Sequence, residues 1–457
     1  MDSEYLNGTI TNDTHRALIY QWAFERYGPL CNQGALAMLS TDYNSDIRAY
    51  LYGEAIFTTW DILFCTYEDH RPDDQLHQSV FKSILASTPE RIPVFGYPYG
   101  VGCNEHWTVT TLNTYGKYFV PTALFHSMGF WQNLPIPTDY QFSQSTSRNA
   151  SHLLNAKGKA DPRKIYVAPI LSDGDNLQFV QLGMKVWYWE TYMEQNLSVP
   201  LTFEFSPLLY EYAPALSMIY YQQQTDDVYF VNGVGGMAYS KSAYFSKQNH
   251  RWYWEQTKSY MQLLDQREVR TWTSGDIHKI INILNPKSGS HQCDAIFEGY
   301  FGDEYRFPEF YNGVPFAPMK FFSTNTEIMN QTTMALHKML EMKNPQRPLF
   351  VPMHINCWDF NVETYDDYVR NLTAESDGQI KFINIGQMSH LIHTTDLARN
   401  ENLGKIIFAL ILCISLVGIV TIQYYRDKRG FRGIKAQSKS TEKRSCVQKD
   451  QGGQRNE

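Results

Sequence analysis

Short apolar runs alternate with longer stretches of helical hydrophobic spacing along most of the chain. The short runs predict strands and the longer stretches predict helices. The predicted strands are Ile92–Tyr97, Tyr118–Leu124, Ile165–Ile170, Leu201–Phe205, Val228–Val231, Ala295–Glu298, Leu349–His354 and Phe382–Ile385. The predicted helices are Gln75–Ala86, Asn176–Gln195, Ala213–Gln223, Trp252–Leu264, Thr326–Met342 and Val362–Leu372. This alternation indicates an α/β protein with a largely parallel sheet.

One apolar run near the end of the chain has no helical polar face. Ile406–Ile422 contains no charged residue, and with its flanks (Gly404–Tyr425) it is long enough to cross a bilayer. The tyrosine pair and the basic run "RDKRGFRGIK" that follow are typical of the cytoplasmic side of a membrane. The sequence therefore predicts one C-terminal transmembrane helix over 404–425 and a basic, disordered cytoplasmic tail over 426–457. A buried core helix is the alternative.

The part of the chain before this run is expected to be extracellular or lumenal. N-glycosylation triplets occur only in that part, at Asn7, Asn12, Asn149, Asn196, Asn330 and Asn371. The first residues contain no secretory signal, so we expect that the natural start of the protein lies upstream of Met1. A tail-anchored protein whose body faces the cytosol is the competing interpretation.

Charge and cysteine usage exclude several classes of function. The chain carries a net charge of −7 although its tail is basic, so the body is acidic and nucleic-acid binding is not expected. No G-x-G-x-x-G follows a strand into a helix, so the sequence gives no evidence for a nucleotide cofactor. His and Cys residues do not occur at the spacings of a metal site, and we expect neither metal nor cofactor.

Acidic residues follow several predicted strands at the end where parallel α/β proteins hold their chemistry. Asp173 and Asp175 follow Ile165–Ile170, and Glu204 and Glu298 each end a strand. Glycoside cleavage needs two carboxyl groups, one as acid and one as base or nucleophile. The four residues are therefore candidate catalytic groups.

Structural roles compete with each of these assignments. The segment "SDGDN" (residues 172–176) also has the composition of a turn that caps the following helix. Glu204 could instead be the partner of a Lys or Arg side chain, although its apolar neighbours favour a raised pKa. His354, which ends another predicted strand, and Trp358, just beyond it, are candidates for holding a sugar. Trp187 and Trp189 are expected in the core.

Several segments resemble a known family. They are "RIPVFGYPYG", "APILSDGDNLQF", "VPLTFEFSPLLYEYAPALSMIYYQQQTDDVYFVNGVGGMAYSKSAY" and "PLFVPMHINCWDF". Together they resemble the GxGYxYP family of putative glycoside hydrolases, roughly over Ile92–Ile392. The resemblance implies a (β/α) barrel-like main domain and action on carbohydrate. Laid on Val234–Ser240, the family motif matches at Gly236 and Tyr239 only, and these two residues are candidate substrate contacts. The segment "SDGDN" is fully kept and adds Asn176 as a further candidate substrate contact.

These observations give one architecture and two functional hypotheses. A partial N-terminal α/β region is expected over 1–157 and the barrel-like domain over 158–398. The first hypothesis is a membrane-anchored glycoside hydrolase that acts on a carbohydrate by carboxylate chemistry. The second is a sugar-binding or adhesion ectodomain that has lost catalysis, because the motif is degenerate.

Overall fold

The structure is a computed structural model that describes residues 13–39, 46–60, 72–97, 105–195, 197, 199–272, 276–286, 292–302, 308–341 and 348–395. By its contacts the chain divides into two units, Met1–Ala398 and Arg399–Glu457. All described residues belong to the first unit. The predicted membrane helix and tail lie outside them.

A small parallel sheet forms the first part of the unit. Its elements are α1 (Asp13–Tyr27), β1 (Leu36–Leu39), α2 (Arg48–Gly53), β2 (Phe57–Trp60), α3 (Pro72–Ala86), β3 (Pro93–Gly96), α4 (Glu105–Thr114) and β4 (Tyr118–Pro121). The strand order is β2-β1-β3-β4 and every pairing is parallel. Because parallel strands point the same way, Tyr97 after β3 and Pro121 at the end of β4 lie at one edge.

A larger sheet forms the second part. Its elements are α5 (Met128–Asn133), β5 (Ile165–Leu171), a π-helix (Phe179–Trp189), α6 (Glu190–Glu194), β6 (Leu201–Glu204), α7 (Leu209–Tyr212), α8 (Pro214–Gln223), β7 (Val228–Val231), α9 (Lys247–Leu263), β8 (Glu268–Thr271), α10 (Ile277–Leu284), β9 (Ala295–Gly302), β10 (Glu309–Tyr311), β11 (Val314–Phe322), α11 (Thr326–Glu341), β12 (Leu349–Ile355), α12 (Val362–Glu375), β13 (Ile380–Phe382) and α13 (Ile385–His393). Short 3₁₀ turns cover Gly28–Leu30, Ser151–Leu153, Ser242–Tyr244 and Cys357–Asp359.

The larger sheet is a nearly closed parallel barrel. Its strands follow the order β7-β6-β5-β12-β11-β9-β8, and β10 alone pairs antiparallel, with β11. The short β13 and β6 pair with the same edge of β5. β13 pairs with the start of β5 and β6 with its end. Between β7 and β8 the side chain of Asn232 bridges the gap, donating to the Arg270 carbonyl and accepting from the Arg270 N–H. The predicted barrel-like α/β fold is therefore confirmed.

Side chains fill the barrel on both faces of its strands. Along β5, which is buried throughout, Ile165, Val167 and Leu171 join the cluster that packs against the surrounding helices. Tyr166, Ala168 and Ile170 point the other way and pack with α13, which contacts β5, β7, β8, β11 and β12. This two-sided burial explains why β5 reads as a continuous apolar run.

The predicted elements differ from the structure in identifiable places. The strand predicted at Phe382–Ile385 is wrong in extent, because β13 ends at Phe382 and Ile385 begins α13, where Asn384 and Gln387 form a capping box. Trp187, expected in the core, is 52% exposed, whereas Trp189 is buried. Strands β1, β2, β8, β10 and β11 were not predicted.

The remaining predictions concern the surface and the membrane. Asn149, Asn330 and Asn371 are exposed, while Asn7, Asn12 and Asn196 lie outside the described residues. Within the described part of the chain, no helix has the length and apolar character needed to span a membrane. The two sheets lie on either side of the boundary expected near residue 157.

Candidate functional site

A cleft of about 280 Å³ lies where the carboxyl ends of strands from both sheets meet. Its walls come from the residues that end or follow β3, β4, β5, β7, β8 and β12, together with the start of α4. The lining residues are Tyr97, Glu105, Pro121, Asp173, Asp175, Asn176, Tyr239, Trp272 and Trp358. The structure therefore brings five residues proposed from the sequence to one cleft: Asp173, Asp175 and Trp358 from the strand-end argument, and Asn176 and Tyr239 from the resemblance.

The two aspartates lie in the turn after β5. Close contacts around this turn leave room only for glycine at positions 174 and 233. Asp173 has φ +69°, a left-handed conformation that Asp tolerates. A Cβ on Gly174 would overlap the carbonyl of Glu204, so β6 can approach only a glycine. A Cβ on Gly233 would lie 2.7 Å from the Cα of Asp175. Asn176 accepts from the Phe179 N–H, so this residue supplies the capping predicted for the segment.

Burial raises the pKa of both aspartates, and neighbouring charges and hydrogen bonds determine the size of each shift. Asp175 is 5% exposed; burial and then the charges of Asp173 and Glu105 raise its pKa to about 8. Burial also raises the pKa of Asp173, to about 6, and hydrogen bonds from Cys357, Trp358 and Ser172 oppose that rise. The pair therefore titrates on either side of neutral pH, as a coupled system.

Glu204 is buried and does not line the cleft. Its carboxylate forms an ion pair with Arg270, and both side chains are inaccessible to solvent. Arg270 also donates to the Gly299 carbonyl (3.2 Å) and contacts Nδ1 of His354 at 3.4 Å. Burial and the Arg270 charge lower the pKa of His354 to about 2. Since Arg270 can only donate, Nδ1 must accept and the histidine proton sits on Nε2.

The loop after β7 presents Tyr239 to the cleft. Gly236 has φ +100° and packs against Tyr253, Trp254 and Thr257, so it shapes the loop but does not line the cleft. The Tyr239 ring stacks on Trp272 with centroids 5.6 Å apart and an interplanar angle of 21°. The backbone N–H of Tyr239 donates to the Phe119 carbonyl, and this hydrogen bond connects the loop to β4. The cleft thus has an aromatic wall in addition to its carboxyl groups.

Comparison with protein families identifies the second part of the chain. Residues 163–381 match the GxGYxYP putative glycoside hydrolase C-terminal domain. The match begins just before β5 and ends within β13, so it spans the barrel-like sheet. The resemblance found in the sequence is confirmed over these residues.

Comparison with solved structures supports the fold. A protein described as a putative hydrolase from Bacteroides thetaiotaomicron VPI-5482 superimposes with a TM-score of 0.64 at 20% identity, over 82% of this chain and 69% of its own. A protein described as a probable polysaccharide deacetylase from Pseudomonas aeruginosa PAO1 reaches only 0.38 at 11% identity, over 52% of this chain and 97% of its own. The first likeness shows the fold alone, and the second is too weak to show a shared fold. No curated protein sequence matches the chain.

The sequence did not predict four of the residues that line the cleft: Tyr97, Glu105, Pro121 and Trp272. Applying the strand-end rule to the first sheet would have found Tyr97 and Pro121. The family motif gives a second signal, because laid on Val94–Gly100 it matches at three positions, one of them Tyr97, against two at Val234–Ser240.

Lys241 adds a positive charge beside the cleft. Its Nζ lies 2.8 Å from Nε2 of His106 and 4.5 Å from the centroid of Trp272. Burial lowers the pKa of Lys241 to about 8, although the charge of Glu105 opposes that change. A protonated Lys241 therefore offsets part of the negative charge of Glu105.

Glu298 is half-buried on β9 and does not line the cleft. In the sheet it pairs with Thr271 of β8 and Pro318 of β11.

Among the described residues, no group of three or more His, Cys, Asp and Glu side chains could hold a metal ion. What the cleft offers is therefore a carboxyl group that keeps its proton near neutral pH, a second that loses it more readily, and an aromatic wall.

Proposed function

We propose that this protein is a glycoside hydrolase whose reaction takes place in the cleft between Asp173, Asp175 and the Tyr239–Trp272 wall. The observation that carries the proposal is the aspartate pair, two carboxyl groups on one wall with the pKa of one above neutral and of the other below. Environments that separate two carboxyl groups in this way assign one as acid and the other as base or nucleophile.

Asp175 is proposed as the general acid because its pKa is the higher. It would donate its proton to the glycosidic oxygen as the bond to the anomeric carbon breaks. Asp173, ionised, would act on the anomeric carbon either directly or through a water molecule. Arg270 contacts no substrate in this scheme, but its charge lowers the pKa of Asp175 and so keeps the acid strong enough to give up its proton.

Tyr97, Tyr239 and Trp272 are proposed to hold the sugar ring, with Asn176 bonding to a hydroxyl group. Flat aromatic faces with polar edges suit a ring that presents C–H groups on its faces and hydroxyl groups at its rim. Glu204 and His354 are proposed as positioning residues, since both act on the cleft through Arg270.

The pH dependence of hydrolysis tests this assignment. We expect a bell-shaped kcat/KM with a maximum near pH 7, falling below about 6 as Asp173 gains a proton and above about 8 as Asp175 loses its proton. The measurement is kcat/KM from pH 4 to 10 with aryl glycosides and natural oligosaccharides. Two limbs that both lie below pH 5 would contradict the assignment.

The variant Glu105→Gln supplies the matched test of that profile. The charge of Glu105 raises the pKa of both Asp173 and Asp175, so its removal is expected to move both limbs to lower pH. Glu375→Gln, at an exposed position at the end of α12, should leave the profile unchanged.

A sugar-binding protein without hydrolysis is the second candidate. The observation that favours it is the buried ion pair of Glu204 with Arg270, which leaves one fewer free carboxyl group at the strand ends. Sugar binding by a well-folded chain that releases no reducing sugar from any substrate would support this candidate and reject the enzyme.

We further propose that the body is held on the extracellular or lumenal side of a membrane by the apolar run at 404–425. The proposal rests on that run, its basic flank, and the exposure of Asn149, Asn330 and Asn371. Expressed with a secretory signal sequence placed before Met1, in a cell that glycosylates secreted proteins, the full chain should sediment with membranes and lose mass on treatment with an amidase that removes N-glycans. A soluble, unglycosylated chain would overturn the proposal.

A further inference from the structure

Two exposed tryptophans lie beside the cleft. Trp187 is 52% exposed and Trp358 is 62% exposed, although large aromatic side chains usually bury most of their surface. Trp187 belongs to the π-helix after β5, and Trp358 to the 3₁₀ turn after β12. Trp358 lines the cleft together with Asp173 and Asp175, and the Trp187 ring contacts Trp358, so both side chains lie next to the cleft.

The rings of Trp187 and Trp358 are held in place by contacts with each other and with Phe179. Their centroids lie 6.0 Å apart at an interplanar angle of 64°. The buried ring of Phe179 contacts both, at 6.3 Å from Trp187 and 6.0 Å from Trp358. The Asn356 side chain accepts from the Trp358 N–H and fixes the turn. Because these supports come from the protein itself, the pair is a preformed platform.

A groove of about 430 Å³ runs along this platform. It is lined by Trp187, Tyr188, Thr191, Trp358, Phe360, Asn361, Val362 and Glu363. Trp358 lines both this groove and the cleft, so the two spaces are adjacent and share a wall. The hydroxyl of Thr191, the amide of Asn361 and the carboxylate of Glu363 give the groove polar groups, which suits a polyhydroxylated ligand better than an apolar one.

We propose that Trp187 and Trp358 form a second sugar subsite, next to the one in the cleft, and that the ligand is therefore an oligosaccharide or polysaccharide chain. The inference rests on the proposed function for the sugar in the cleft, and it adds the length of the ligand. One unit lies between the aspartates and the Tyr239–Trp272 wall, while the neighbouring unit stacks on the Trp187–Trp358 platform.

The test compares monosaccharides with hexasaccharides of glucose, mannose, xylose and N-acetylglucosamine. Binding to the full chain is measured by calorimetry in the Asp175→Asn background, so that cleavage of the sugar during the titration is negligible. At least one hexasaccharide should bind about tenfold more tightly than its monosaccharide, since one stacked aromatic contact is worth about that factor. Trp187→Ala should remove this difference and leave monosaccharide binding unchanged.

Val186→Ala is the matched control, because Val186 is 54% exposed on the same helix and does not line the groove. It should leave both affinities unchanged. The subsite is rejected if no hexasaccharide binds more tightly than its monosaccharide, or if the difference survives Trp187→Ala. Failure of the enzyme proposal is distinguishable, since it would appear as absent hydrolysis by the unmodified chain while the length dependence of binding persists.

Discussion

Replacing Asp175 by asparagine is expected to slow the hydrolysis of an oligosaccharide by about 10³-fold, because a positioned general acid contributes roughly that factor. The loss should be far smaller for a dinitrophenyl glycoside, whose leaving group departs without a proton. Asp173→Asn should slow both substrates, since the role proposed for Asp173 does not depend on the leaving group. The measurement is kcat/KM for both variants on both substrates.

The same substitution has an expected effect on stability that separates function from folding. The folded-state pKa of Asp175 is raised to about 8, above its ordinary value, so the folding free energy that the protonated carboxyl group contributes is lost as pH rises through 8. Asparagine cannot ionise, so Asp175→Asn avoids this loss of folding free energy, which is at least about 1 kcal/mol. The variant should therefore have a higher Tm than the unmodified chain at pH 9. Asp226→Asn, at an exposed position before β7, is the control for both measurements. Equal losses on both substrates would contradict the role of Asp175 as acid.

Replacing Arg270 by alanine is expected to cost about 3–5 kcal/mol of folding free energy, because it leaves a buried carboxylate without its partner. Arg270 is fully buried and holds Glu204, the Gly299 carbonyl and His354 together in the barrel. Its removal also takes away a charge that lowers the pKa of Asp175. Thermal unfolding of the full chain followed by circular dichroism measures the loss.

Arg251→Ala is the matched control for the buried pair. Arg251 also contacts a carboxylate, that of Glu255 at 2.8 Å, but it does so on the exposed face of α9. Its loss should cost less than about 1 kcal/mol, as for other exposed ion pairs. The double variant Glu204→Leu/Arg270→Met should recover part of the stability that Arg270→Ala loses, since neither charge is then buried alone. Equal losses for Arg251→Ala and Arg270→Ala would contradict the role of the buried pair.

The sequence predicted the parts of the fold whose burial is simple. Strand β7 was predicted with its observed bounds and β5 to within one residue, because both are buried on two faces and read as apolar runs. Strand β8 was missed because its sequence, "EVRT", looks polar. Glu268 and Arg270 are nevertheless fully buried there, since each meets an opposite charge inside the protein, Arg148 and Glu204 respectively.

The site was predicted to the extent that one rule governs it. The rule that parallel α/β proteins hold their chemistry at the carboxyl ends of strands placed Asp173 and Asp175 together, and the structure brings both to the cleft. It could not separate them from Glu204, because only tertiary structure shows that Arg270 reaches one carboxylate and not the others. Glu105 was missed because it begins a helix of the other sheet, and no local pattern predicts that the two sheets meet there.

The most direct measurement compares the release of reducing sugar by the full chain and by its double variant Asp173→Asn/Asp175→Asn. Both proteins are tested on a panel of aryl glycosides and natural oligosaccharides at pH 7, and circular dichroism confirms that the variant is folded. The account predicts hydrolysis of at least one substrate by the unmodified chain and none by the variant. Hydrolysis that survives in the folded double variant, or an unmodified chain that binds sugar and cleaves nothing, would contradict it.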